Sequence, residues 1–247
     1  MRYFLEISYK GTNYSGWQIQ DNANTVQAEV NKALSTLLKT ETDSMGCGRT
    51  DAGVHALGLV AHFDAAEIEL PSDFLYKLNA LLPKDIAIRG IRKVKDEAHA
   101  RFDAISRSYR YLIHARKDAF IRNTSYFFSH DLDLEKINEA IEVIKAHKDF
   151  EAFSKVHTEV NHFHCDIFEA SWELSEVGYV FHIRADRFLR GMVRTIVGTL
   201  LDVGTGKTTI EELKNILNSK NRREAGRSVS ADGLYFLSAG YPEEIYL

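Results

Sequence analysis

Two hydrophobic periods alternate along this chain. Tyr3 to Tyr9 mixes apolar and polar residues as a strand does, and Lys10-Gly11-Thr12-Asn13 supplies its turn. Val26, Val30, Ala33, Leu34, Leu37 and Leu38 recur at helical spacing and predict a helix over Val26 to Leu38, capped by Asn24 or Thr25. Gly58 to Phe63 reads as a strand. Ser72 is the expected cap of a helix carrying Phe74, Leu75, Leu78 and Leu82, which Pro83 ends. Ile86 to Ile91 and Ser108 to His114 are further strands. A helix capped by Asp131 or Asp133 carries Leu134, Ile137, Ile141 and Ile144. Strands follow at Ile167 to Leu174 and Tyr179 to Ala185, then a helix through Met192, Val193, Ile196, Val197, Leu200 and Leu201. Gly198 inside that helix costs about 1 kcal/mol against alanine, so close packing of another backbone is predicted there. Thr209 and Glu212 form a capping box for a short helix with Ile210, Leu213 and Leu217, and Gly233 to Leu237 is a last strand.

The order of strands and helices predicts an α+β protein. Tyr3-Phe4-Leu5-Glu6-Ile7 leads through a loop into the helix at Val26, and Tyr179-Val180-Phe181-His182-Ile183 leads into the helix near Met192. The echo suggests two related halves, residues 1–104 and 105–247, each an antiparallel sheet with helices on one face.

At 247 residues, 45% hydrophobic and 27% charged, the chain has the composition of an ordinary globular protein. It shows no signal-peptide pattern and no apolar run near the ~18 residues that span a membrane. Cys47 and Cys165 form no CxxC or disulfide framework, which fits a reducing cytoplasm. Net charge is −4, but the cations are unevenly spread. Lys84 to Lys117 holds ten basic and four acidic residues. Arg184, Arg187, Arg190 and Arg194 recur against Asp186 alone, and Lys220, Arg222, Arg223 and Arg227 form a third cluster. These are either scattered solvated charges or a surface polarised for nucleic acid.

Gly48-Arg49-Thr50-Asp51-Ala52-Gly53-Val54-His55-Ala56 is the richest stretch in chemistry. One carboxylate, Asp51, lies between two glycines, which permit tight turning and close approach of a flat substrate. Arg49 can hold that carboxylate ionised or grip a phosphate. A plain turn in which Asp51 bonds its own backbone is the simpler alternative.

Gly204-Thr205-Gly206-Lys207-Thr208 imitates a phosphate loop. Leu201 stands where the first glycine is needed, and a helix precedes it in place of a strand, so a helix C-terminus is expected. His157, His162, His164 and Cys165 could ligate zinc, but their spacing matches no closed site, and a loop or strand facing solvent or RNA is preferred. His162 and His164 would share one strand face. Tyr109 and Tyr111 share a strand face opposite Arg110, either as core tyrosines or as a surface that stacks on bases. Arg194 on an apolar helix needs either a carboxylate, for which Asp51 is the natural nominee, or a path to solvent along its stem.

The nine-residue stretch resembles the signature of the tRNA pseudouridine synthase A family. Tyr14-Ser15-Gly16-Trp17-Gln18, His99-Ala100-Arg101-Phe102, Arg107-Ser108-Tyr109-Arg110-Tyr111, Met192-Val193-Arg194 and Gly233-Leu234-Tyr235 agree with it in order over essentially the whole chain. The resemblance implies isomerisation of uridine to pseudouridine in the anticodon stem-loop of tRNA, at positions 38, 39 and 40. It implies no cofactor and no metal, a homodimer holding one tRNA across both subunits, and an active-site cleft between the two halves. By match to the motifs, Asp51 is the nucleophile, Arg194 its ion-pair partner, and Arg49 helps extrude the base. Tyr109 stacks on the uracil and Leu234 lines the pocket. His55 is expected to be structural. The chain departs from the family pattern at Leu59, where a glutamine is common, at Val229-Ser230, where Pro-Ala is frequent, and in the loop from Lys155 to His164. Two other functions compete: a non-catalytic tRNA-binding or folding protein, and an Asp-dependent hydrolase of small molecules.

Overall fold

Tyr3, Leu5, Ile7 and Tyr9 are all buried in the first strand, and what covers them organises the first part of the chain. The computed structural model describes residues 1–66, 70–155 and 160–247. In chain order the elements begin with β1 (Arg2–Tyr9), α1 (Val26–Leu38), β2 (Ser44–Gly46), β3 (His55–Asp64), α2 (Phe74–Leu81) and β4 (Ile86–Val94). They continue with β5 (Ser106–His114), β6 (Tyr126–Phe127), α3 (Leu134–Ala146), β7 (Ile167–Ser175) and β8 (Gly178–Ala185). The chain closes with α4 (Met192–Gly204), α5 (Ile210–Ser219) and β9 (Leu234–Gly240). This is an α+β protein, grouped into two units: residues 1–106 with 235–247, and residues 107–234.

In the first unit the strand order is β4-β1-β3-β9, with β2 also on β3. β1 runs antiparallel to both neighbours, but β3 and β9 run parallel, with His55 opposite Tyr235. The sheet is therefore mixed and not purely antiparallel as expected, because the last segment of the chain returns in the same direction as β3. Tyr3 stacks on Phe63 at 5.7 Å and Phe63 on Phe74 of α2 at 6.5 Å, so α2 covers this face. Thr25 caps α1 by accepting from the Ala28 N–H, and Lys39 ends it at φ 57°. Asp73, not Ser72, stands at the start of α2. It gives no side-chain cap and instead pairs with Lys77 one turn on, at 2.7 Å.

The loop His99–Phe102 sits on His62, whose Nδ1 accepts from the Ala100 N–H at 3.1 Å. Burial, with help from Arg2 and His99, lowers the His62 pKa to about 4.

In the second unit β8 lies between β5 and β7, and β6 joins β5 in parallel. β8 is thus paired on both sides, as β1 is in the first unit. Asp133 caps α3 through the Lys136 N–H, and the Thr209–Glu212 capping box opens α5 as predicted. Nearly every residue of α4 is buried, the mark of a helix covered on all sides. A Cβ on Gly198 would lie 1.8 Å from the Arg227 carbonyl oxygen, and one on Gly226 would lie 2.7 Å from the Thr199 nitrogen. The backbone expected to approach Gly198 is therefore the segment around Gly226. Past the end of α4, Thr205 and Gly206 donate back to Leu201 and Val203 with Gly206 at φ +76°, so the glycine-rich run is a helix C-terminus.

Two predictions follow from this packing. Gly198→Ala should destabilise the fold by roughly 2 kcal/mol, because a backbone carbonyl occupies the methyl's place. Urea unfolding with an unchanged midpoint would refute the close approach. His62 has a lowered pKa in the folded state, so the unfolded chain binds its proton first. Stability is full above about pH 6.5 and falls, by on the order of 1–3 kcal/mol, as pH drops from there towards 4. His62→Gln should flatten that slope in urea titrations.

Candidate functional site

The Asp51 turn is built from main chain. The Asp51 carbonyl accepts from the Val54 N–H at 3.2 Å, and Gly53 takes φ +81° at the position where such a turn asks for a left-handed residue. The turn's closing bond thus involves no side chain. Gly48, by contrast, has open space where a Cβ would sit, so this chain's own packing does not require that glycine.

The segment from Gly11 to Trp17 holds this turn from behind. Trp17 N–H donates to the Thr50 carbonyl at 3.2 Å, and Gly53 N–H to the Tyr14 carbonyl at 3.3 Å. A Cβ on Gly16, at φ +98°, would stand 2.3 Å from the Thr50 oxygen, and one on Gly11 would stand 2.0 Å from the Val54 oxygen. Tyr9 and Thr50 hydroxyls meet at 2.7 Å in the core, and Tyr9 stacks on Trp17 at 6.3 Å. Tyr14 donates its hydroxyl to Asp85 at 2.6 Å; burial first, then this bond, raises its pKa. His55 is buried, accepts from the Gly11 N–H at 3.0 Å and lies 4.7 Å from the Tyr235 ring, so it belongs to the scaffold. Asp51 emerges from this frame partly exposed, with Arg49 exposed two residues before it.

Tyr109, Arg194 and Leu234 belong to the second unit. Tyr109 is half-buried on β5, its ring edge-on to Phe188 at 5.1 Å. Tyr111 on the same strand face is wholly buried; burial raises its pKa, and its hydroxyl donates to the Ser230 carbonyl at 2.7 Å. The two tyrosines thus divide the alternatives left open by the sequence: Tyr111 is core, and Tyr109 retains an accessible surface. Arg194 is half-buried in the first turn of α4. Its Nε donates to the Val229 carbonyl at 2.6 Å, and its own carbonyl accepts from the Val229 N–H at 3.3 Å. Arg194 and Tyr111 therefore clamp the same short segment, Val229–Ser230, which leads to the buried Leu234. Leu59 is fully buried in β3, opposite Ile7.

His157 lies outside the described residues. His162 and His164 are not on a strand: they precede β7, with His162 near Arg187 at 3.3 Å and His164 bridged to Asp149. Cys165 is buried, which pushes its thiol up to about 12. Among the described residues no group of three or more His, Cys, Asp or Glu could hold a metal ion. No helix there is long and apolar enough to cross a membrane.

Spacing alone does not assign Gly16, Trp17, Tyr9 and Thr50 to the frame of Asp51. The resemblance singles out Gly16, Trp17 and Thr50 as parts of two matching motifs but does not say that those motifs meet, and Tyr9 lies in neither.

The sequence model of the family described as tRNA pseudouridine synthase matches residues 7–103 and 146–242. The chain belongs to this family. It is 48% identical over 246 residues to the tRNA pseudouridine synthase A of Parabacteroides distasonis, covering 99% of this chain and 98% of that one. The protein of the same name from Bacteroides thetaiotaomicron is 46% identical over 248 residues, covering 99% and 92%. That from Bacillus subtilis is 40% identical over 246 residues, covering 98% and 99%. Arg49, Asp51, Arg194 and Leu234 fall inside the matched residues, and Tyr109 falls between the two matched segments.

The frame makes a contrast between two glycines. Gly16→Ala forces a Cβ onto the Thr50 oxygen at an unfavourable φ and should cost roughly 2 kcal/mol or more. Gly48→Ala enters open space and should change stability by less than about 1 kcal/mol. Equal unfolding midpoints for the two variants would contradict the buttress.

Proposed function

We propose that this protein isomerises uridine to pseudouridine in the anticodon stem-loop of tRNA, at positions 38, 39 and 40, with Asp51 as nucleophile. Family membership over nearly the whole chain carries the reading, and the presentation of Asp51 on a turn made by main chain supports it.

The reaction breaks the bond between ribose C1′ and uracil N1 and forms one between C1′ and C5. A proton leaves C5 and N1 gains one, so atoms and electrons balance with no co-reactant. The reacting atoms lie within a stacked strand, so the nucleotide flips out at a cost of a few kcal/mol, which phosphate contacts offset. Arg49, exposed beside the turn, takes part in that extrusion. Tyr109, with its ring held edge-on by Phe188, supplies a flat wall for the uracil, and Leu234 supplies an apolar one. A nucleophilic carboxylate in a site from which water is excluded needs a fixed cation, and Arg194 is its partner. Its Nε bond to Val229 sets the plane of the guanidinium. Asp51 attacks C1′ or C6, or acts through a glycal; Tyr109 or a water receives the C5 proton. In this reading the two halves of the chain form one catalytic unit with the cleft between them. The enzyme works in the cytoplasm as a homodimer with one tRNA across both subunits, and needs no metal or cofactor.

Asp51→Asn should abolish tritium release from tRNA labelled at uracil C5 while tRNA binding changes less than about threefold. Turnover at the wild-type rate in that variant would sink the assignment.

A further inference from the structure

β5 and β6 are joined by residues 115–125, a loop whose side chains no part of the proposed chemistry uses. Arg116, Lys117 and Arg122 are exposed on it, and Phe120 is 97% exposed at its tip. Single exposed apolar residues are common on proteins. This one is a whole aromatic ring set among three cations, which is the pairing that grips an unstacked base and its phosphates.

The loop is also shaped to present these side chains. Asp118, its one acidic residue, accepts from the Phe120 N–H at 2.8 Å and so turns the chain just before the tip. The Thr124 hydroxyl donates to the Ile121 carbonyl at 2.8 Å, and Asn123 takes φ 62°. Both ends are pinned: Ala115 N–H donates to the Val177 carbonyl and Phe128 N–H to the His114 carbonyl, each at 3.0 Å. Where the loop returns, Arg227 donates to the Tyr126 hydroxyl at 2.6 Å and lies 6.0 Å from its ring, extending the same chemistry onto β6. The loop leaves β5 at His114, five residue steps from Tyr109 and roughly 17 Å along the strand at its usual rise. The loop also lies between the two segments that the family's sequence model matches.

We propose that the 115–125 loop is a docking arm for the body of the tRNA outside the anticodon stem-loop. Phe120 stacks on an accessible base, and Arg116, Lys117 and Arg122 hold neighbouring phosphates. This rests on tRNA being the substrate.

The test uses full-length tRNA transcript and the isolated anticodon stem-loop as separate probes, with binding read apart from turnover. Phe120→Ala should weaken full-length tRNA about fivefold or more. The triple variant Arg116→Gln, Lys117→Gln, Arg122→Gln should weaken it by about tenfold and flatten the dependence of log affinity on log salt by about two. Affinity for the short hairpin, and turnover at saturating tRNA, should stay within about twofold of wild type. These positions are exposed, so unfolding is not expected, and circular dichroism checks it. Unchanged affinity and salt slope for full-length tRNA would overturn the proposal, as would equal weakening of both probes. Loss of a protein–protein association with tRNA binding intact would overturn it in favour of an acidic protein partner. Loop-dependent tRNA binding by a wild type that makes no pseudouridine would overturn the isomerase reading and uphold this one.

Discussion

The approach of two glycines to the Asp51 turn is the constraint on which the candidate site depends. Gly11 and Gly16 lie so near the Val54 and Thr50 carbonyls that no side chain fits between. Main chain packed on main chain defines a loop more sharply than side chains can, because the peptide groups have no rotamers to choose among. The rest of the frame protects this contact. Trp17 and Tyr9 fill the space beneath it, His55 satisfies the Gly11 N–H, and α1 begins only nine residues after Trp17. The bond that closes this turn, from the Val54 N–H to the Asp51 carbonyl, is itself main chain to main chain.

The second unit uses the same device around α4. Gly198 and Gly226 let the segment before Val229 cross the helix at backbone distance. That crossing brings Val229 to Arg194, and Tyr111 then secures Ser230. A half-buried arginine on an apolar helix is costly if it lacks polar partners. Here part of that cost is met by a backbone carbonyl, which also orients the guanidinium. At the Val229-Ser230 departure from the family pattern, the bonds from Arg194 and Tyr111 use carbonyl groups, which any residue provides, whereas the bond from the Val229 N–H to the Arg194 carbonyl is one that a proline there could not donate.

Net charge says little about this protein's partners, since some clustered cations are answered locally, Arg184 by Glu169 and Lys220 by Asp149, and others are not carried beside an anion in the sequence. Asp133, Glu135 and Glu142 are carried on or beside α3, where Lys136 and Lys145 answer two of them. By contrast, the loops around Arg49 and 115–125 present cations at exposed positions. Local placement, which decides whether phosphates are attracted, is set by the fold and not by the sum of charges.

Hydrophobic period, capping residues and turn glycines made most elements legible in advance. α1 runs from Val26 to Leu38 as its spacing demands, and the Thr209–Glu212 box opens α5. These features are local, governed by residues three or four positions apart. The family, too, was legible, because Asp51 and its neighbours form a contiguous motif. What neighbours in sequence cannot express was decided by tertiary structure. The start of α2 moved to Asp73, and β9 returned parallel to β3, making the sheet mixed. Tyr109 and Tyr111 share a pattern, yet only Tyr111 is sealed in the core, because Ser230 from more than a hundred residues away accepts its hydroxyl. The sequence by itself determined the helices, most strands and the chemistry available at Asp51. Only the tertiary structure decided which glycines touch backbone, which arginine is clamped and which loop stands out in water, since each depends on segments that meet through folding alone.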